Sequence, residues 1–214
     1  MTSDLYFPPN GDWERREASS LGINQSALER AVQFAKENEI AWPIDLRKRN
    51  VSKDPTKWSA KIGLMKPRGG PAGVVIKDGF IVAEWGDVER VDLTYSATKS
   101  YLSALVGVAF DHGLINDTST PVFEYEDGKS IKMHKTSLDV DGFASGQNKL
   151  ITWEHLLQQT SEWEGTLYTK PDVVDWNRDL SSVGMGQENY LKRRDRMLPG
   201  SHWEYNDVRV NRTA

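Results

Sequence analysis

Hydrophobic positions first recur with a helical period at Leu28, Ala31, Val32, Phe34 and Ala35. With Asn24 as a capping residue just ahead, that spacing predicts a helix over 26–39. The period then drops to two. Val74 and Ile76 alternate with Val75 and Lys77, Asp78-Gly79 follows, and Phe80 to Trp85 returns. Asp-Gly between alternating strands is a strong two-residue turn signal, so a β-hairpin is predicted, its strands the two best supported in the chain. A lone hairpin is marginal in water and needs cover, from the next helix or from strands beyond residue 214. The next helix is the most apolar stretch of all. Leu102 to Phe110 carries no charge and one polar side chain, Ser103, before Asp111-His112-Gly113. A helix apolar nearly all round is expected to be buried, and Gly113 sits where a left-handed residue ends a helix.

Elsewhere the pattern is weaker. Leu5 to Arg16 reads as an extended arm. Arg47 to Arg68 holds eight Lys/Arg against the single acid Asp54, and without interleaved aromatics this is read as a solvated loop rather than an anion-binding rim. Asn116 to Gln147 is loop-rich. Thr152 reads as the cap of a short helix containing Trp153, His155, Leu156 and Leu157. The chain from Trp163 to Gly186 is irregular, and Glu188 to Met197 reads as a basic amphipathic turn or two that Pro199-Gly200 stops. A last helix begins at Asp207 and breaks off after about two turns, shorter than the ~10–14 residues usual in globular proteins, so the chain is expected to be truncated.

Composition narrows the function classes. With 38% hydrophobic and 27% charged residues, and no apolar run of bilayer length, a membrane protein is not expected. The first residues lack the basic and apolar regions of a signal peptide, and there is no cysteine, hence no disulfide, Cys-ligated zinc or thiol nucleophile. Both features fit a cytoplasmic protein. A net charge of −4 gives no general pull toward nucleic acid. His112, His134, His155 and His202 share no metal-ligand spacing and are read as surface or helix-end residues. Gly184 and Gly186 lack the strand–glycine–helix context of a phosphate loop. The eight tryptophans suit pocket walls as readily as core.

Candidate chemistry sits at the mouth of the apolar helix, where Ser96 and Lys99 lie three apart on one face. With 17 serines and 14 lysines in the chain, about one Ser-x-x-Lys is expected by chance, so position rather than spacing gives the pair its weight. A serine hydroxyl needs a group to take its proton. Lysine can serve if burial keeps it neutral, which costs on the order of 4–5 kcal/mol from its ordinary value near 10.4. That requires an enclosed helix mouth. The Ser96 N–H would supply one oxyanion donor.

SATK opening an apolar helix after a hairpin resembles the first motif of the serine β-lactamase and penicillin-binding-protein superfamily. ITWEHLLQQTSEWEG resembles that family's T-x-x-x-LL-x-x-TSG segment, with Glu162 where glycine is usual. PGSHWEYND resembles its PG-x-x-x-x-Y-x-N segment, in the class C, esterase and amide-hydrolase branch. The resemblance implies an α+β fold of β-lactamase/transpeptidase type, with C-terminal strands of the sheet missing. It would form a single truncated domain over 1–214, an α/β part at 1–115 followed by a mainly helical part at 116–214, with the site in a cleft between them. It implies Ser96 as acylated nucleophile, Lys99 as its activating partner and Tyr205 as general base or proton shuttle, Lys and Tyr being read as a coupled pair. Asp207 falls at the substrate-binding Asn. As a carboxylate it only accepts hydrogen bonds, which weakens the case for penicillins, and Asn206 could substitute if the register shifted. The family's last Lys/His-x-Gly strand has no match here.

The function this implies is hydrolysis of an ester, amide or β-lactam carbonyl through an acyl-enzyme. It calls for no metal or organic cofactor and no nucleic-acid or membrane partner, and it leaves the oligomeric state open. Esterase, β-lactamase, D-amino-acid peptidase and cyclic-amide hydrolase share the constellation. The alternative class is a β-lactam-binding sensor without turnover, or a catalytically incompetent fragment.

Overall fold

Asp78 and Gly79 both adopt left-handed backbone, φ 51° and 86°, which is what a type I′ hairpin turn requires. Strands β1 (Gly73–Lys77) and β2 (Phe80–Trp85) pair antiparallel on either side, with one register irregularity between Val75 and Ile76. The N-terminal arm turns at Asn10–Gly11, and its residues 14–16 pair with β2 at Ile81. The Arg16 N–H donates to the Ile81 carbonyl and the Ile81 N–H to the Glu14 carbonyl, both at 2.9 Å. The Tyr6 ring stacks on Phe80 at 4.4 Å and the Arg16 guanidinium sits over the same ring at 3.6 Å. The arm thus covers an edge that an isolated hairpin would leave unpaired.

The computed structural model describes residues 6–48, 64–126, 142–144, 146–167, 170–176 and 194–214. Helix α1 (Gln25–Glu37) starts where the sequence places it, the Asn24 side chain accepting the Ala27 N–H at 2.9 Å. Its apolar stripe is a poor guide to burial. Leu28 is buried, whereas Phe34 is 66% exposed. Most of the basic 47–68 stretch lies outside the described residues. Arg68, at its end, donates to Glu39 Oε1 at 2.5 Å and to the Trp42 carbonyl at 2.7 Å.

The chain divides into two compact units, and the division falls between Leu93 and Thr94. The sequence reading instead kept the Ser96 helix with the hairpin, up to residue 115. The helix groups with the later residues because its first-turn side chains find their partners at 205–207. A 3-10 turn, Tyr95–Ala97, leads into α2 (Thr98–Asp111), and Gly113 follows at φ 68°. The limits of this helix match the expectation. Its burial does not: only Val106 is buried, while Tyr101, Leu105, Val108 and Phe110 are exposed.

Further along come α3 (Phe123–Glu126), α4 (Trp153–Leu157), the two-residue strands β3 (Thr166–Leu167) and β4 (Lys170–Pro171), and α5 (Asp207–Asn211). The β3–β4 pair was not visible in the sequence. Thr152 caps α4 as expected: its hydroxyl accepts the His155 N–H and His155 Nδ1 accepts the Thr152 N–H, both at 3.2 Å. That assigns His155 to a helix end. Val122, Phe143, Ile151, Leu156, Trp163, Leu167 and Val208 form the core of this second unit. The predicted basic turns at 188–197 lie outside the described residues up to 193, and 194–197 run without helix. His134, Gly184 and Gly186 also lie outside. Helices with small antiparallel sheets make the chain α+β. Among the described residues, no helix is long and apolar enough to cross a membrane.

Candidate active site

The site is built from two ends of one unit. The first is the turn before α2. Tyr95 holds a left-handed backbone, φ 47°, a conformation costing a non-glycine residue about 1–3 kcal/mol. It persists because neighbours brace it. The Thr98 hydroxyl donates to the Tyr95 carbonyl at 2.7 Å and shares a hydrogen bond with the Thr94 hydroxyl at 3.0 Å. This strained residue directly precedes Ser96. Nothing in the sequence pointed to it, since tyrosine is no left-handed residue by preference.

The second end is the entry to α5. Asn206 is fully buried and acts as its cap: Oδ1 accepts the Arg209 N–H at 3.1 Å, and Nδ2 donates to the Asp172 carbonyl at 2.9 Å. Those bonds consume the amide, so Asn206 does not stand in for the substrate-binding asparagine. Asp175 Oδ2 accepts the N–H groups of Asp207 and Val208 at 3.1 and 3.3 Å, satisfying donors that a helix start leaves open. With Asn206 turned inward, Tyr205 and Asp207 on either side are free to face the Ser96 turn.

All four predicted residues meet. Ser96 Oγ and Tyr205 Oη share a short hydrogen bond. Lys99 Nζ donates to Ser96 Oγ at 3.1 Å and to Asp207 Oδ1 at 2.7 Å, and lies 4.8 Å from the centre of the Tyr205 ring. Two expectations change. The helix mouth is not enclosed, for Ser96 is exposed and the Lys99 side chain keeps 22% of its surface. Lys99 is also not driven toward neutrality. Burial acts to lower its pKa, but the hydrogen bonds and charges of Asp207 and Tyr205 outweigh burial and raise it. That direction favours the ammonium form, which donates to Ser96 Oγ and has no lone pair for the serine proton. Asp207, which the motif places at the substrate, also forms an ion pair with Lys99 through Oδ1.

Behind the site lies a buried ionic cluster that sequence reasoning missed. Arg209 Nη1 meets Glu162 Oε1 at 2.5 Å and Glu204 Oε2 at 3.0 Å, and its Nη2 meets Asp172 Oδ2 at 2.9 Å. Arg194 forks onto both oxygens of Glu162 at 2.6 and 2.8 Å, and Arg196 reaches Asp172 at 3.0 Å. Glu162 itself stands at φ 49°. That left-handed backbone favours glycine, and here a wholly buried glutamate holds it through two guanidinium groups and the Met197 N–H at 2.9 Å. The glutamate in the TSEW segment was the one available signal. A scan against protein-family models, a search of curated proteins and a search of solved structures each find no match to this chain.

Proposed function

We propose that the Ser96 centre is that of a serine hydrolase, related to β-lactamases and penicillin-binding proteins and acting on an ester, amide or β-lactam carbonyl through an acyl-enzyme. The observation that carries this reading is the short Ser96 Oγ–Tyr205 Oη hydrogen bond with an ammonium, Lys99, on the same serine oxygen. A hydroxyl bonded to a second hydroxyl and a fixed cation has a proton path and a field that favours the developing alkoxide.

For an ester, Oγ bonds to the carbonyl carbon while its proton passes to Tyr205 Oη. In the same concerted relay the phenol's own proton passes to the departing alkoxide as the C–O bond breaks, so Tyr205 never carries two protons, and the alcohol leaves. Deacylation runs the same relay with water. Water oxygen bonds to the acyl carbon, its proton goes to Tyr205, the phenol's proton returns to Ser96 Oγ, and the carboxylic acid departs. Lys99 stays charged throughout and supplies electrostatic support.

Esters are the favoured class. Penicillin- and cephalosporin-type compounds carry a further amide carbonyl that would need a donor where Asp207 offers only an acceptor, and a simple ester carries none. One missing hydrogen bond of about 1.4 kcal/mol is tenfold in rate. A short p-nitrophenyl ester is therefore expected to be hydrolysed with a kcat/KM at least about ten times that of a chromogenic cephalosporin. Hydrolysis of neither compound would remove the reading. Cephalosporin as the better substrate would keep the hydrolase and reject the ester preference. A stable adduct without turnover would favour the sensor class.

A further inference from the structure

Two residues after Tyr205 stands a carboxylate, Asp207, that meets the Lys99 ammonium at 2.7 Å, and this contact joins residues 108 apart in sequence. We infer that Asp207 is a positioning residue for the proposed reaction: its carboxylate clamps the Lys99 ammonium against Ser96 and keeps it charged across the working pH range. This rests on the hydrolase reading above, and it adds what decides the charge of Lys99 and so the alkaline limit of activity.

The geometry is fixed from both sides. Asp207 is itself held, its N–H donating to Asp175 Oδ2 at 3.1 Å, while Lys170 Nζ neutralises Asp175 at 3.1 Å from Oδ1. Lys99 is faced by Asp207 and Tyr205 from the entry to α5 and by Ser96 from its own turn. The nearest other cation on α5, Arg209, is engaged with Glu162, Glu204 and Asp172. Among the described residues, Asp207 is the one carboxylate at contact distance from Lys99. Without it, partial burial would be opposed by Tyr205 alone, and the lysine pKa would fall.

The test is the pH profile of ester kcat/KM in the wild type, Asp207→Asn and Asp207→Glu. In the wild type, activity is lost at high pH as Lys99 gives up its proton. Asp207→Asn removes the charge and keeps the shape, so the alkaline limb is expected to move down by about 1–3 pH units. Asp207→Glu should restore most of that shift, which a merely structural role for Asp207 would not require. An Asp207→Asn enzyme with an unmoved alkaline limb overturns the inference while leaving the hydrolase reading intact. A wild type without ester hydrolysis defeats the hydrolase reading instead. Because the Asn variant could fail to fold, a second measurement uses the wild type alone. The lysine Nζ resonance of Lys99, assigned by its loss in Lys99→Arg and followed by 15N NMR against pH, should titrate above free lysine. A midpoint at or below that of free lysine overturns the inference whatever the activity.

Discussion

Ser96→Ala is expected to lower ester kcat/KM by about 10³- to 10⁶-fold, the range over which loss of an activated serine abolishes acyl-enzyme chemistry. The fold should not notice. Ser96 is exposed; its hydroxyl bonds to Lys99 and Tyr205, and Lys99 keeps Asp207 when that hydroxyl is gone. A change in unfolding free energy within about 0.5 kcal/mol is expected, as at surface positions generally. Comparing urea melts with initial rates separates the two effects. Hydrolysis that survives in a folded Ser96→Ala protein would move the chemistry to another residue.

Arg209→Met has the opposite signature, with a stability loss of about 3–5 kcal/mol. Arg209 is 4% exposed and touches three carboxylates, of which Glu162 is 0% and Asp172 2% exposed. Methionine fills much of the space but leaves those carboxylates with Arg194 and Arg196 as their remaining cations. Stranding a buried charge costs far more than the intact pair contributes, and the loss would be a large part of a typical 5–15 kcal/mol. A urea melt shifted by less than about 1 kcal/mol would show that the cluster tolerates the imbalance.

The same cluster sets the acid limit. Burial acts to raise the Glu162 pKa, but Arg194, Arg209 and the Met197 N–H outweigh it and hold the carboxyl at about 2, against 4.5 unperturbed. The folded value lies below the unfolded one, so the stabilisation is complete above about pH 4.5 and is lost as pH falls toward 2. That contribution is on the order of 3 kcal/mol. Unfolding free energy measured over this window should fall with acid in the wild type and fall less in Glu162→Gln.

What the sequence made legible is what neighbours in the chain decide. Asp78-Gly79 fixes a hairpin within a few residues, and Asn24, Thr152 and Gly113 mark helix ends through bonds to adjacent backbone. Burial was another matter. Leu105, Val108 and Phe110 look like core because they are apolar, yet exposure depends on what lies against them, and Val106 alone is buried in that helix. The four site residues were found by motif, but the pairing of two of them was not: Lys99 and Asp207 form an ion pair across 108 residues. Asn206, weighed as a stand-in for the substrate-binding asparagine, is instead consumed as a cap. The Glu162–Arg209 pair joins residues 47 apart, and no local pattern marks a partner at such a distance.

The central claim is that Ser96 is a nucleophile activated by its contacts with Tyr205 and Lys99, and covalent labelling tests it most directly. Wild-type protein treated with a fluorophosphonate and followed by intact-mass and peptide mass spectrometry should gain one adduct per chain, on the peptide containing Ser96. Tyr205→Phe should slow its formation by about 10²- to 10⁴-fold, the usual value of a positioned proton acceptor. A protein that stays unmodified, or one labelled on another residue at the same rate, would contradict the account.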